Sequence, residues 1–250
     1  MAERVRTARP SSRPAFYALS PGGWRDLWTL LHPPYTAWHL SYVVLGAATV
    51  PAFDGGRLGA TVLGFFLGVG LCAHALDELR GRPLRTRIRS AVLWAIAWVA
   101  LAGAVGLGVA GAAVVSWWLL AFVVFGAFIV VAYNLELFGG VFHSDLWFAL
   151  AWGAFPALTA AFAQDGRLHV ADLPVAAACF ALSVAQRTLS TPVRRLRRRS
   201  STVNGEIVDA DGTVESIDER SLRAAPETAL RAIAVGLSLL AVGLVVARLA

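Results

Sequence analysis

His74 and Asp77 stand three residues apart, Glu78 comes next, and Arg80, Arg82, Arg85, Arg87 and Arg89 follow. Residues three apart share a helix face, so the imidazole and the Asp77 carboxylate are expected side by side. They close a long apolar run. A carboxylate there meets the negative end of the helix dipole and needs compensation, from the arginines or from a bound cation. Arginine grips phosphate oxygens in a bidentate way. Mg²⁺ usually binds through one or two carboxylates together with substrate phosphates. Acids followed by arginines therefore suit a diphosphate, with Asp77 and Glu78 as metal ligands. The other reading of the same stretch is a cytoplasmic loop whose arginines pair with Asp77 and Glu78.

A second group runs from Tyr133 and Asn134 through Glu136, His143 and Asp145 to Trp152, Gly153 and Pro156. It offers ligands and a general base. Alternatively, Gly139 and Gly140 make a turn and the polar groups are solvated. A third group holds Gln186, Arg187, Arg194, Arg195, Arg197, Arg198 and Arg199. Gln186 and Arg187, still at helix depth, would face a headgroup or diphosphate. The remainder also reads as a topology signal in contact with anionic lipid. Asp209-Ala-Asp211-Gly212 opens like a calcium loop, but the remaining ligand spacing is not met, so it reads as a hairpin turn.

The elements that position these groups are apolar. The chain has 250 residues, 57% hydrophobic and 15% charged, with mean hydropathy +0.63. A soluble domain is about 25% charged. The apolar residues fall in blocks near the length that crosses a bilayer. We therefore expect an all-α, polytopic membrane helix bundle of about seven transmembrane helices. All 22 cations are arginine. Placed in membrane loops they signal topology rather than nucleic acid. Cys72 and Cys179 lie in apolar runs and read as small buried hydrophobes. No short apolar run with a cleavage site follows the basic N-terminus, so no removable signal peptide is expected.

Residues 1–31 form a basic, Pro- and Ser-rich segment, expected to be disordered at first and to end in an interfacial helix around Trp24 and Trp28. Residues 32–250 form the membrane domain. The expected spans are Tyr35–Val50, Leu58–Leu76, two helices from Ala91–Tyr133 divided near Gly108–Gly111, Leu146–Ala163, Leu173–Leu189 and Ala229–Val246. Residues 200–226 form a cytoplasmic polar insert, whose Thr202–Glu215 alternation suggests a hairpin around Asp211-Gly212. Five arginines lie in the N-terminal segment, five in Arg80–Arg89 and six in Arg187–Arg199. The positive-inside rule then gives a multi-pass cell-membrane protein with a cytoplasmic N-terminus and an extracytoplasmic C-terminus.

Together these pieces resemble the UbiA-type membrane prenyltransferase superfamily, over about residues 30–200. Ala73-His74-x-x-Asp77 occupies the start of that family's first Asp-rich motif, and Arg82-Pro83-Leu84-Arg-Thr-Arg-Ile88 resembles its tail. His32-Pro33-Pro34 resembles the family's entry to its first span, and Tyr133-Asn134 with Gly153 and Pro156 its fourth–fifth helix region. The resemblance implies transfer of a prenyl group from an isoprenoid diphosphate to a lipophilic acceptor, with Mg²⁺. It casts Asp77 and Glu78 as metal ligands and His74 as the group that orients a ligand or accepts a proton. Arg82, Arg85, Arg187 and Arg194 would hold the diphosphate, and Tyr133, Asn134, His143 and Gln186 would complete the substrate site. Ala73, His74 and Gly81 stand where the first motif has Asn and two Asp residues. Arginines stand where the second Asp-rich motif is expected. Those departures motivate an alternative, a non-catalytic protein that binds or transports an isoprenoid or other lipid.

Overall fold

Helix-breaking and capping residues divide the apolar chain into eight helices, in a computed structural model that describes residues 13–200 and 202–250. The start of the segment expected to be disordered, residues 1–12, lies outside the described residues. Helix α1 spans Trp24–Leu30 and α2 Pro33–Ala48. Helix α3 spans Gly55–Leu79, α4 Ser90–Val114 and α5 Leu119–Asn134. Helix α6 spans Asp145–Asp165, α7 Asp172–Arg198 and α8 Glu219–Leu249. Five of them, α3, α4, α6, α7 and α8, are long and apolar enough to cross a membrane. Of the two other expected spans, α5 is apolar but has 16 residues, and α2 has 16 and is sheathed by α6 and α8.

The boundaries follow local chemistry. Pro33 and Pro34 open α2, where their missing N–H groups cost nothing. The Asp54 carboxylate accepts from Arg57 N at 2.9 Å to cap α3. Ser144 caps α6 by accepting from Trp147 N, and Asp218 and Ser221 cap α8 reciprocally. Gly166 follows α6 at φ 82, a left-handed geometry that suits glycine.

Three boundaries differ from the sequence expectation. The break between α4 and α5 falls at residues 115–118, not at Gly108–Gly111. Those glycines admit a neighbour instead: a Cβ on Gly108 would lie 2.4 Å from Val123 Cγ2 on α5. Helix α7 continues through Pro192 to Arg198, so the third arginine group is helical rather than a loop. Helix α8 starts before Pro226. A buried bidentate pair explains both extensions, because Arg197 donates to Glu227 at 2.5 and 2.9 Å and ties the two polar helix ends together. Between them, Gly205–Val208 (β1) and Val214–Ile217 (β2) form an antiparallel hairpin with Val208 opposite Val214.

Helix α2 lies at the centre. Trp38 and Tyr42 are fully buried with Ala157, Cys179 and Leu230, and Trp38 Nε1 donates to Tyr42 Oη. A second core joins α3, α4, α5 and α6 through Leu76, Leu93, Ile129, Tyr133 and Trp152. Two stretches, Phe66–Ala73 in α3 and Leu150–Ala154 in α6, are π-helical. Such turns are rare and often mark functional sites. Both flank the same cavity.

Candidate functional site

The chain ends its apolar helices in polar residues, and these converge on a cavity of about 480 Å³. Helix α3 brings His74 and Asp77, with Arg80 just after it; α5 and the following turn bring Tyr133, Asn134, Glu136 and His143. Helix α7 brings Gln186, Arg187, Arg194, Arg195 and Arg198, with Arg199 after it. Residues 14–17 close one side, held by Arg197 Nη1 on the Arg13 carbonyl at 3.1 Å and Arg198 Nε on the Pro14 carbonyl at 3.2 Å.

Of the residues expected from sequence, His74, Asp77, Tyr133, Asn134, His143, Gln186, Arg187 and Arg194 therefore line a single cavity. Arg82, Arg85 and Glu78 do not. Glu78 is fully buried, and its carboxylate accepts from Leu84 N, Thr86 N and Thr86 Oγ1 at 2.8–2.9 Å. It holds the loop after α3. Arg82 folds back to donate to the Ile88 carbonyl at 2.5 Å and to Ser90 Oγ at 2.8 Å. Arg85 is exposed. Arg82 and Arg85 have φ of 55 and 58, an uncommon backbone region for such side chains that the Glu78 bonds help to maintain. The arginine-dense tail of the motif is thus a braced loop, and the cavity takes its cations from α7.

The histidines have defined tautomers. His74 Nδ1 lies 3.0 Å from the Gly70 carbonyl, His39 Nδ1 2.8 Å from the Trp152 carbonyl and His143 Nδ1 3.0 Å from the Tyr133 carbonyl. A carbonyl oxygen only accepts, so each Nδ1 carries a proton and each neutral ring keeps its lone pair on Nε2. Gly70 and Trp152 both lie in the π-helical stretches, whose distorted ladders leave carbonyls for side chains. His32 stacks on His74 with centroids 4.1 Å apart. Withdrawal from water, reinforced by His74, holds the His32 imidazole well below its ordinary pKa. Desolvation likewise pushes the Tyr17 phenol well above its ordinary range.

Three buried atoms at this cavity have no hydrogen-bond partner among the described residues: His32 Nε2, Tyr133 Oη and Gln186 Oε1. Buried polar groups are normally satisfied, so orphans gathered at one cavity point to a polar ligand. Among the described residues the Asp77 carboxylate has no hydrogen-bond or ion-pair partner, whereas Glu136 is held by Arg80 at 2.7 Å and Asp145 by Arg187 at 2.6 Å. Arg187 also lies over the Phe148 ring at 5.2 Å.

This donor set answers whether the residues fit the Mg²⁺ that the resemblance implies. Asp77 is the one cavity carboxylate left uncommitted, and no group of three or more His, Cys, Asp or Glu converges on a metal position among the described residues. Glu78 is consumed by the loop. The residues do not make a dedicated magnesium centre.

A second cavity of about 380 Å³ lies among α3, α4, α5 and α6 and runs from Trp152 towards Arg57 and Val115, lined mainly by apolar side chains such as Val69, Leu101, Phe122, Val130 and Phe155. Trp152 lines both cavities. Its indole sits 4.5 Å from Tyr133 and stacks on Phe148.

Sequence reasoning missed Tyr17, Tyr35 and His39 at the polar cavity and gave His32 no role there. His39 carried a usable signal, because an ionisable residue inside an apolar span is a functional candidate. Tyr17 carried none, since only the tertiary fold brings residues 14–17 over α7. No family model, curated protein or solved structure matches the chain.

Proposed function

We propose that the chain is a UbiA-like integral membrane prenyltransferase, moving a prenyl group from an isoprenoid diphosphate to a lipophilic acceptor. One observation carries the reading. A cationic, polar cavity and an apolar cavity meet at Trp152, which suits an amphiphile with a phosphate head and a hydrocarbon tail. The UbiA-type resemblance of the His74–Ile88 stretch adds to it.

In this reading Arg187, Arg194 and Arg198 hold the diphosphate, whose developing negative charge they stabilise as it leaves. The bond from the prenyl carbon to the diphosphate oxygen breaks, and its electron pair departs with the diphosphate. The faces of Tyr133 and Trp152 shield the allylic cation from water. That carbon then bonds to the acceptor's nucleophilic atom, and the acceptor's proton passes to His74 Nε2, which has the free lone pair, beside Asp77. Seven spans, with the three arginine groups on the cytoplasmic side, complete the proposed topology. The gathering of residues 14–17, Arg80 and Arg187–Arg199 around one cavity supports placing them on one side.

A second reading, a non-catalytic carrier of an isoprenoid or other lipid, is favoured by the diversion of Glu78 into the loop. The test uses protein in lipid nanodiscs, given geranylgeranyl diphosphate and a membrane lipid extract. The enzyme reading expects pyrophosphate release and a prenylated product, both lost in His74→Phe. Tight binding without release supports the carrier. Absence of binding overturns both.

A further inference from the structure

We propose that this cavity recognises its diphosphate through arginine alone, with no divalent cation bridging protein and phosphate. The inference rests on the diphosphate reading and states how that site works.

Its first support is the charge inventory. Arg194, Arg195, Arg198 and Arg199 line the cavity and have no carboxylate partner among the described residues. Arg80 and Arg187 are neutralised by Glu136 and Asp145. Setting Asp77 against the four unpaired arginines leaves a surplus of three positive charges. A diphosphate ester carries about three negative charges at neutral pH, so the cavity matches it without help. A bridging Mg²⁺ would add two more charges where compensation is already complete.

The second support is the placement of two of those cations. Arg194 and Arg198 are four residues apart on one continuous helix and so lie along one face, with the Asp145-paired Arg187 two turns before Arg194 on the same face. Arg194 and Arg198 are about 6 Å apart along the helix axis, a span suited to two linked phosphates. Among the described residues Arg194 makes one side-chain hydrogen bond, Nη2 to Thr191 Oγ1 at 3.2 Å. Tyr133 Oη, buried and unpartnered, adds a neutral donor beside them.

The third support is the shortage of oxygen ligands. Mg²⁺ demands near-ideal octahedral oxygen coordination and usually needs one or two carboxylates to anchor it. Glu78 and Glu136 are committed, so Asp77 stands alone and, facing an anion, repels it.

The experiment is calorimetry on the full chain in nanodiscs, with inorganic pyrophosphate and farnesyl thiodiphosphate as probes. Each is titrated once in excess EDTA and once in millimolar Mg²⁺. We expect affinities within about threefold of each other in the two buffers, falling steeply with added salt. Arg194→Gln and Arg198→Gln should each weaken binding about tenfold in both buffers, and Arg194→Lys less. Asp77→Asn should tighten binding about threefold, by removing the carboxylate that faces the anion. Thermal melts of each variant identify any that fail to fold; Arg194→Lys keeps the charge and supplies the second readout. Binding seen only with Mg²⁺, or weakened about tenfold by Asp77→Asn, overturns the arginine-only site and leaves the diphosphate reading standing. Binding of neither probe in either buffer overturns both.

Discussion

His32 and His74 stack at 4.1 Å between centroids with their planes 21° apart, so the residue before α2 is locked onto the last turns of α3. Two imidazoles so placed cannot both charge without strong repulsion. His74 is among the causes that lower the His32 pKa, after desolvation. The folded protein therefore holds His32 neutral, while an unfolded chain would protonate it near pH 6.5.

The consequence is acid sensitivity. A folded pKa below the unfolded one contributes stability that is complete above about pH 6.5 and is lost as pH falls towards the folded value. Melting temperature should drop by several degrees between about pH 7.5 and pH 5, at about 2–4 °C per kcal/mol for a chain of this size. His32→Gln should flatten that slope. An equal slope in the variant would remove His32 as its source.

Glu78 tests the loop. Its carboxylate serves three donors in a buried position, so Glu78→Ala leaves two backbone N–H groups and one hydroxyl unpaired. The expected cost is about 3 kcal/mol, read as a lower melting temperature with no change in cation dependence. If Glu78 instead ligated a metal, the variant would keep its melt and lose a cation response.

Gly46 tests the contact of α2 with α6. A Cβ there would lie 2.0 Å from the Ala157 carbonyl oxygen, whereas nothing lies within 4 Å of one on Gly236. Gly46→Ala should cost about 3 kcal/mol. Gly236→Ala should stay within about 0.5 kcal/mol. Similar melts for the two would refute the close approach.

Trp152 tests the junction of the cavities. Trp152→Leu opens the partition between them, so lipids copurified with the variant should shift to bulkier species by native mass spectrometry. An unchanged lipid profile would mean that the two spaces are occupied independently.

Much of the helical architecture was legible because long apolar blocks leave little alternative. Three polar groups at the ends of apolar runs were legible too, but that His74, Asp77, Tyr133, His143 and Arg187 share one cavity is seen only in the fold. What spacing could not reveal was how each charge is used. Glu78 and Asp77 are neighbours in the chain, yet one is consumed by backbone donors of the next loop and the other faces the cavity. Arg82 and Arg194 look alike in composition, but the first closes a turn and the second lines the site. Pro192 and the arginines around it suggested a helix end. The Arg197–Glu227 pair, which depends on residues thirty positions apart, keeps the helix going.

The π-helical stretches in α3 and α6 have a consequence for insertions and deletions. Each residue of an α-helix turns the chain by about 100°. A π turn holds one residue more than an α turn, so losing that residue within Phe66–Ala73 restores α geometry and keeps His74 and Asp77 facing the cavity. A one-residue deletion in Gly55–Phe65, which is already α-helical, has no such slack and would swing them by about 100° round α3, away from Arg194. Such a chain would keep its motifs and lose its site. For α3 and α6, the register upstream of a motif matters as much as the motif's own letters.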